Sequence, residues 1–129
     1  MTDTPRPATD EQVEALAATA IPLSVAILRW DAGRYRDGGE QIELEHQRRM
    51  VGLRGDGTIA VLCPVISDAI AGIAVMTASA EDAERLMRSD PCVRGGMMTV
   101  EVHACLGFAG DAIGTQPSDE PRPPAARAE

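Results

Sequence analysis

The sequence predicts an α+β fold, and three observations predict it. Segments with apolar residues at alternate positions intermingle with segments whose apolar residues recur every three to four. Capping signatures, Thr9 with Gln12 and Ser79 before "AEDAERLM", mark helix starts. After a leading helix, the order of segments is strand, helix, strand, strand, helix, strand.

Each element has its own justification. "TDEQVEALAATA" opens on a capping box and sets Val13, Leu16, Ala17 and Ala20 on one helical face. "IPLSVAILRW" alternates Ile21, Leu23, Val25 and Ile27, the period of a strand. A polar loop, "DAGRYRDGG", leads into "EQIELEHQRRMVGLRG". There Ile42, His46, Arg49, Met50 and Leu53 recur at helical spacing, with Gly55 as the expected stop. "TIAVLCPV" and "AIAGIAVMTA" are branched apolar runs separated by "ISD", which reads as an antiparallel pair. "SAEDAERLMRSD" is a second capped helix with Ala83, Leu86 and Met87 facing inward. "MMTVEVHACLG" closes the pattern as a strand, with Met98, Val100, Val102 and Ala104 on one side and Met97, Thr99, Glu101, His103 and Cys105 on the other.

Split βαβ units joined in this order make a ferredoxin-like βαββαβ sandwich, a four-stranded sheet with both helices on one face. The expected organisation is a 1–20 extension carrying the extra N-terminal helix, an α+β domain over 21–110, and a proline-rich, disordered tail over 111–129. Burial of apolar surface stabilises by about 25 cal/mol per Å², so an uncovered apolar sheet face favours a homodimer.

Composition narrows function. With 20 acidic and 12 basic residues the formal net charge is −8, the wrong sign for a phosphate backbone, so nucleic acid is not an expected partner. Every cation is an arginine, because the chain has no lysine, and Schiff-base catalysis by lysine is excluded. No apolar run approaches the ~20 residues of a membrane span. The start "MTDTPRPATDEQ" is polar and acidic rather than signal-like. Cys63, Cys92 and Cys105 form no CxxC pair and read as free thiols of a reducing cytoplasm. Two histidines offer few metal ligands, and neither a metal nor another cofactor is expected.

Two residues carry the chemistry worth testing. His46 shares a helical face with Ile42, Met50 and Leu53, so its ring points toward the core edge or a cleft. It reads either as a packed histidine bonded to the backbone or as a general acid/base, since an imidazole titrates near ~6.5. Asp90 in "MRSDPCVRGG" is an N-cap with Pro91 at the first helical position and Gly95 as terminator. Its carboxylate has two oxygens, so it is able to cap and also to accept from an imidazole.

The remaining candidates divide similarly. Arg29, Arg34, Arg36 and Arg94 are either solvated surface cations or, for Arg94 above all, a fork for an anionic group. His103 reads as a structural or interface residue. The cysteines read as small packed residues, although Cys92 follows a helix start, where thiolates are favoured.

The chain from about residue 22 to 106 resembles the YCII-related, YciI-like proteins. The likeness rests on "LEHQRRM", on "VLCPVISD", on "GIAVMTASAEDAERLMRSDP" and on "VRGGMMTVEV". It implies a dimeric α+β barrel and a cleft with a His–Asp dyad for cofactor-independent acid/base chemistry. Carried over, His46 and Asp90 are the dyad, and Asp68 matches the acidic position after the second strand. Cys63 stands where the family has a small residue, narrowing the pocket. Ser89 and Arg94, beside Asp90, are candidate substrate contacts. The implied reaction is an isomerisation, elimination or dehalogenation of a small anionic or phenolic molecule. The alternative is a non-catalytic small-molecule-binding or accessory module of the same fold.

Overall fold

The computed structural model describes residues 4–111. The expectations for the proline-rich tail fall almost wholly outside the described residues.

Among the described residues, four helices and four strands follow in chain order: α1 (Asp10–Ala17), β1 (Ile21–Trp30), α2 (Gly39–Gly55), β2 (Ile59–Pro64), β3 (Ile70–Met76), α3 (Ala80–Arg88), α4 (Pro91–Arg94) and β4 (Met98–Gly107). A short 3-10 turn, Ala32–Arg34, lies between β1 and α2. The sheet is antiparallel in the order β2-β3-β1-β4, which is compatible with a ferredoxin-like fold. Among the described residues no helix is long and apolar enough to cross a membrane.

The capping signatures act as expected. Thr9 and Gln12 form a reciprocal capping box on α1, and the Ser79 hydroxyl accepts from the Asp82 backbone N–H at the start of α3. The helices stop at the expected glycines, Gly55 ending α2 and Gly95 capping α4, and the left-handed residue follows one or two positions later. Helix α2 runs through Gly55, and the left-handed residue that reverses the chain is Gly57 (φ 86°). After α4, Gly95 keeps a right-handed conformation and Gly96 (φ 80°) makes the reversal.

The sheet separates two apolar faces. Ser24, Ala26 and Leu28 of β1 are buried under the helices, with Met76 and Ala74 of β3 opposite the first two. The helices add Met50, Ala83 and Met87 to this core. Small residues on β1 let the long methionines reach the sheet, which is how a chain with one Trp, one Tyr and one Phe fills its interior. Val25 and Ile27, the alternating set that marked β1 as a strand, lie on the opposite face beside Val75 and Ile73. Met97 departs from the expected alternation: it precedes β4 and is fully buried in the core instead of sharing a face with Thr99 and His103.

Candidate functional site

The site starts with the turn after α3. The N-cap of α4 is Asp90, whose Oδ2 accepts the Cys92 backbone N–H at 3.0 Å. The same oxygen accepts from His46 Nδ1 at 2.7 Å, across 44 residues of sequence. Capping and partnering the histidine are thus two functions of one carboxylate. Asp90 has no solvent exposure, while the His46 side chain keeps 15% of its own. With Nδ1 committed, Nε2 is left facing away from the carboxylate.

Helix periodicity brings a third group to the pair. Arg49, three residues after His46 on α2, directs Nη1 to within 3.7 Å of Asp90 Oδ1. That separation is an ion pair without a hydrogen bond, and both atoms are buried without a hydrogen-bond partner. The sequence already placed Arg49 on the His46 face, and one helical turn was the signal for this contact.

A cavity of about 410 Å³ opens beside His46. Its walls include Leu28, Trp30, Met50, Leu62, Ala71 and Met98, and its polar side chains, Glu43, His46 and Gln47, all come from α2. Cys63 also contributes to the lining, as its place before Pro64 implied. Asp90 lies behind the imidazole and does not line the space.

The other candidates sit elsewhere. The Ser89 hydroxyl donates to the Arg85 carbonyl at 3.1 Å and borders a separate shallow depression near Thr58 and Thr77. Asp68 is fully exposed, 4.0 Å from Arg34. Arg34 in turn lies 3.8 Å from the Trp30 ring centroid, a cation–π contact. Arg94 is exposed on the last turn of α4. Neither Ser89, Asp68 nor Arg94 lines the cavity. On the helix-free face, His103 Nε2 pairs with Glu101 Oε2 at 2.8 Å, and Arg29 pairs with the same carboxylate at 3.2 Å. The hydrogen bond from His103, then that from Arg29, hold the Glu101 carboxyl below its ordinary range.

Cys92 is fully buried, in line with its reading as a packed residue and not with the thiolate alternative. Burial first, then the charges of Asp90 and Glu43, push its thiol up to about 12. Ligand atoms of His46, Asp90 and Cys92 lie within 4.8 Å of one another, a spacing a metal ion is able to bridge. Binding one there must expel a tightly held thiol proton, split the 2.7 Å hydrogen bond and oppose the Arg49 charge. The donor set fits a hydrogen-bonded network better than a metal centre.

No protein-family model matches the chain, and no curated protein is significantly similar to it.

Proposed function

We propose that the protein is a cofactor-independent acid/base enzyme acting on a small molecule, with His46 as the proton-transferring group and Asp90 as its positioning partner. One observation carries this reading: the imidazole is bonded through Nδ1 to a buried carboxylate while its ring borders an apolar cavity.

The chemistry follows from the two nitrogens. Asp90 holds the proton on Nδ1 in the neutral ring, so the Nε2 lone pair is available to the cavity. A substrate X–H delivers its proton to Nε2 and keeps the bonding electron pair, giving an imidazolium beside a carboxylate and an anion at X. The proton then returns to a different atom of the substrate in an isomerisation. In an elimination the pair at X forms a new π bond, the leaving group departs with the pair of its own bond, and Nε2 gives its proton to the leaving group or to water. A positioned base of this kind contributes typically ~10²–10⁴-fold.

The same reading treats the chain as a YciI-like protein of ferredoxin-like architecture that pairs as a dimeric α+β barrel. Support comes from the β2-β3-β1-β4 order and from the helix-free face carrying Val25, Ile27, Ile73 and Val75.

Deuterium uptake tests the chemistry without a known substrate. A panel of small enolisable ketones and phenols is incubated in heavy water and followed by NMR. Wild type accelerates exchange at a specific carbon, and His46→Gln abolishes the acceleration while its circular dichroism is unchanged. Ligand-induced shifts with no exchange across the panel identify a binding module instead.

A further inference from the structure

We infer that the cavity beside His46 takes an uncharged, largely apolar, ring-sized molecule, and that carboxylates and phosphate esters are excluded. Of the anionic or phenolic molecules expected from the sequence, the side chains that surround the space favour the neutral phenol over the anion.

The cavity, about 410 Å³, falls within the usual range for small-molecule sites. Its walls offer hydrocarbon and sulfur, and among the described residues no arginine lines it. Three arginines of the neighbouring segments are engaged elsewhere. Arg49 faces Asp90, Arg34 stacks on Trp30, and Arg36 donates to the Gly95 carbonyl. Glu43 lines the cavity from the same helix as His46 and contributes negative charge. An anion entering would lose hydration and gain no fixed cation, a cost that an uncharged ring avoids.

The proposed proton transfer sharpens this requirement. His46 must be neutral to accept a proton, so it offers no charge to a bound anion before reaction. An uncharged X–H meets no such obstacle. Its negative charge appears only after the proton has moved to Nε2, next to the imidazolium that the transfer creates. Gln47, also in the lining, brings an amide N–H able to donate to an oxygen of the substrate. This assignment rests on the acid/base reading only for which end of the ligand faces His46. The charge selectivity follows from the lining alone.

A matched pair of probes tests it. p-Cresol and p-toluate are methylated rings of similar size, one neutral and one anionic at pH 7. Trp30 is the chain's one tryptophan and lines the cavity, so its indole N–H resonance reports occupancy directly. The expected result is saturable shifting of that resonance by p-cresol, with affinity at least about tenfold above that for p-toluate. Val51 lines the same space and is 61% exposed, so Val51→Arg adds a cation at the mouth without disturbing the core. This variant gains p-toluate binding, and Glu43→Gln moves selectivity in the same direction. Equal or tighter binding of p-toluate by wild type overturns the inference, as does the absence of saturable shifts with either probe. Because the readout is binding, a failed exchange assay with intact p-cresol selectivity refutes the acid/base reading alone. Preference for p-toluate refutes the substrate class alone.

Discussion

Arg49 Nη1 and Asp90 Oδ1 face each other at 3.7 Å, each buried and each without a hydrogen-bond partner. On the other side of the carboxylate, Oδ2 already serves His46 and Cys92. Asp90 therefore stands between an imidazole and a guanidinium, and the guanidinium sets a positive charge opposite a carboxylate that has no contact with water.

Arg49→Met retains much of the aliphatic stem and removes the charge. Breaking a buried pair by removing one partner costs about 3–5 kcal/mol; Arg49 keeps 26% side-chain exposure, so the expected loss lies at or below the lower end. Denaturant melts measure it. A positioning role, as opposed to packing alone, also requires the nitrogen-15 shifts of His46 to move, because Arg49 faces the carboxylate that holds Nδ1. Unchanged shifts alongside lost stability would make Arg49 structural.

Asp90→Asn and Asp90→Ala separate the two functions of one side chain. Asparagine still offers an oxygen to the Cys92 N–H but carries no charge for His46. Alanine loses both, and an N-cap alone is worth typically ~1 kcal/mol. The asparagine variant is expected to shift the His46 tautomer with most of the fold stability retained, and the alanine variant to lose distinctly more. Equal losses in the two variants would show that the cap contributes nothing measurable.

The sequence displayed the elements because local chemistry declares them: Thr9, Ser79 and Asp90 each cap the helix expected of them. The two oxygens of Asp90 made a contact with His46 conceivable and the family resemblance singled it out, since no local rule joins residues 44 positions apart. Faces were harder. Strand β1 is apolar on both sides, and alternation alone does not say that Ser24 and Ala26, rather than Val25 and Ile27, meet the helices. Helix packing decided it, because small residues leave room for Met50 and Met87. Composition did not show where the arginines point: Arg49, Arg34 and Arg36 are turned to Asp90, Trp30 and a backbone carbonyl.

Cys92 sets a pH dependence. Its thiol is raised from 9.0 to about 12, chiefly by burial, so the folded state retains a proton that the unfolded chain releases above pH 9. The stabilisation is complete below pH 9 and declines as pH rises toward about 12. In Cys92→Ala this component is absent, so the alkaline decline in stability is shallower than in wild type. Iodoacetamide labelling gives a second readout: exposed Cys63 reacts first, and buried Cys92 reacts at the rate of unfolding.

The helix-free sheet face has its own test. Val75→Arg places a charge beside Val25, its register partner, in the patch assigned to the dimer. Sedimentation velocity is expected to show a dimer for wild type and a monomer with unchanged circular dichroism for the variant. A monomer in both would remove the barrel assembly while leaving the His46 site intact, since its residues come from one chain.

Two glycines hold the turn that feeds β4, and they fail for different reasons. A Cβ on Gly33 would sit 2.6 Å from the Gly96 carbonyl oxygen, a backbone atom with no side-chain freedom to yield. The Asp31 N–H bonds the Met97 carbonyl at 2.9 Å in the same crossing, so relieving the clash must push these chain segments away from each other. Gly33→Ala is therefore expected to cost about 1–3 kcal/mol, as overpacking does. Gly96 has open space around its Cβ direction but a φ of +80°, so Gly96→Ala carries only the left-handed penalty of about 1–2 kcal/mol. Thermal melts of the two variants give the losses, and amide shifts of Asp31 and Met97 tell them apart. Those amides move in Gly33→Ala, where the segments separate, and hold their positions in Gly96→Ala, where only a dihedral is strained. Asp31 and Met97 amides unmoved in Gly33→Ala would mean that the 3-10 turn gives way instead and that the crossing does not position β4.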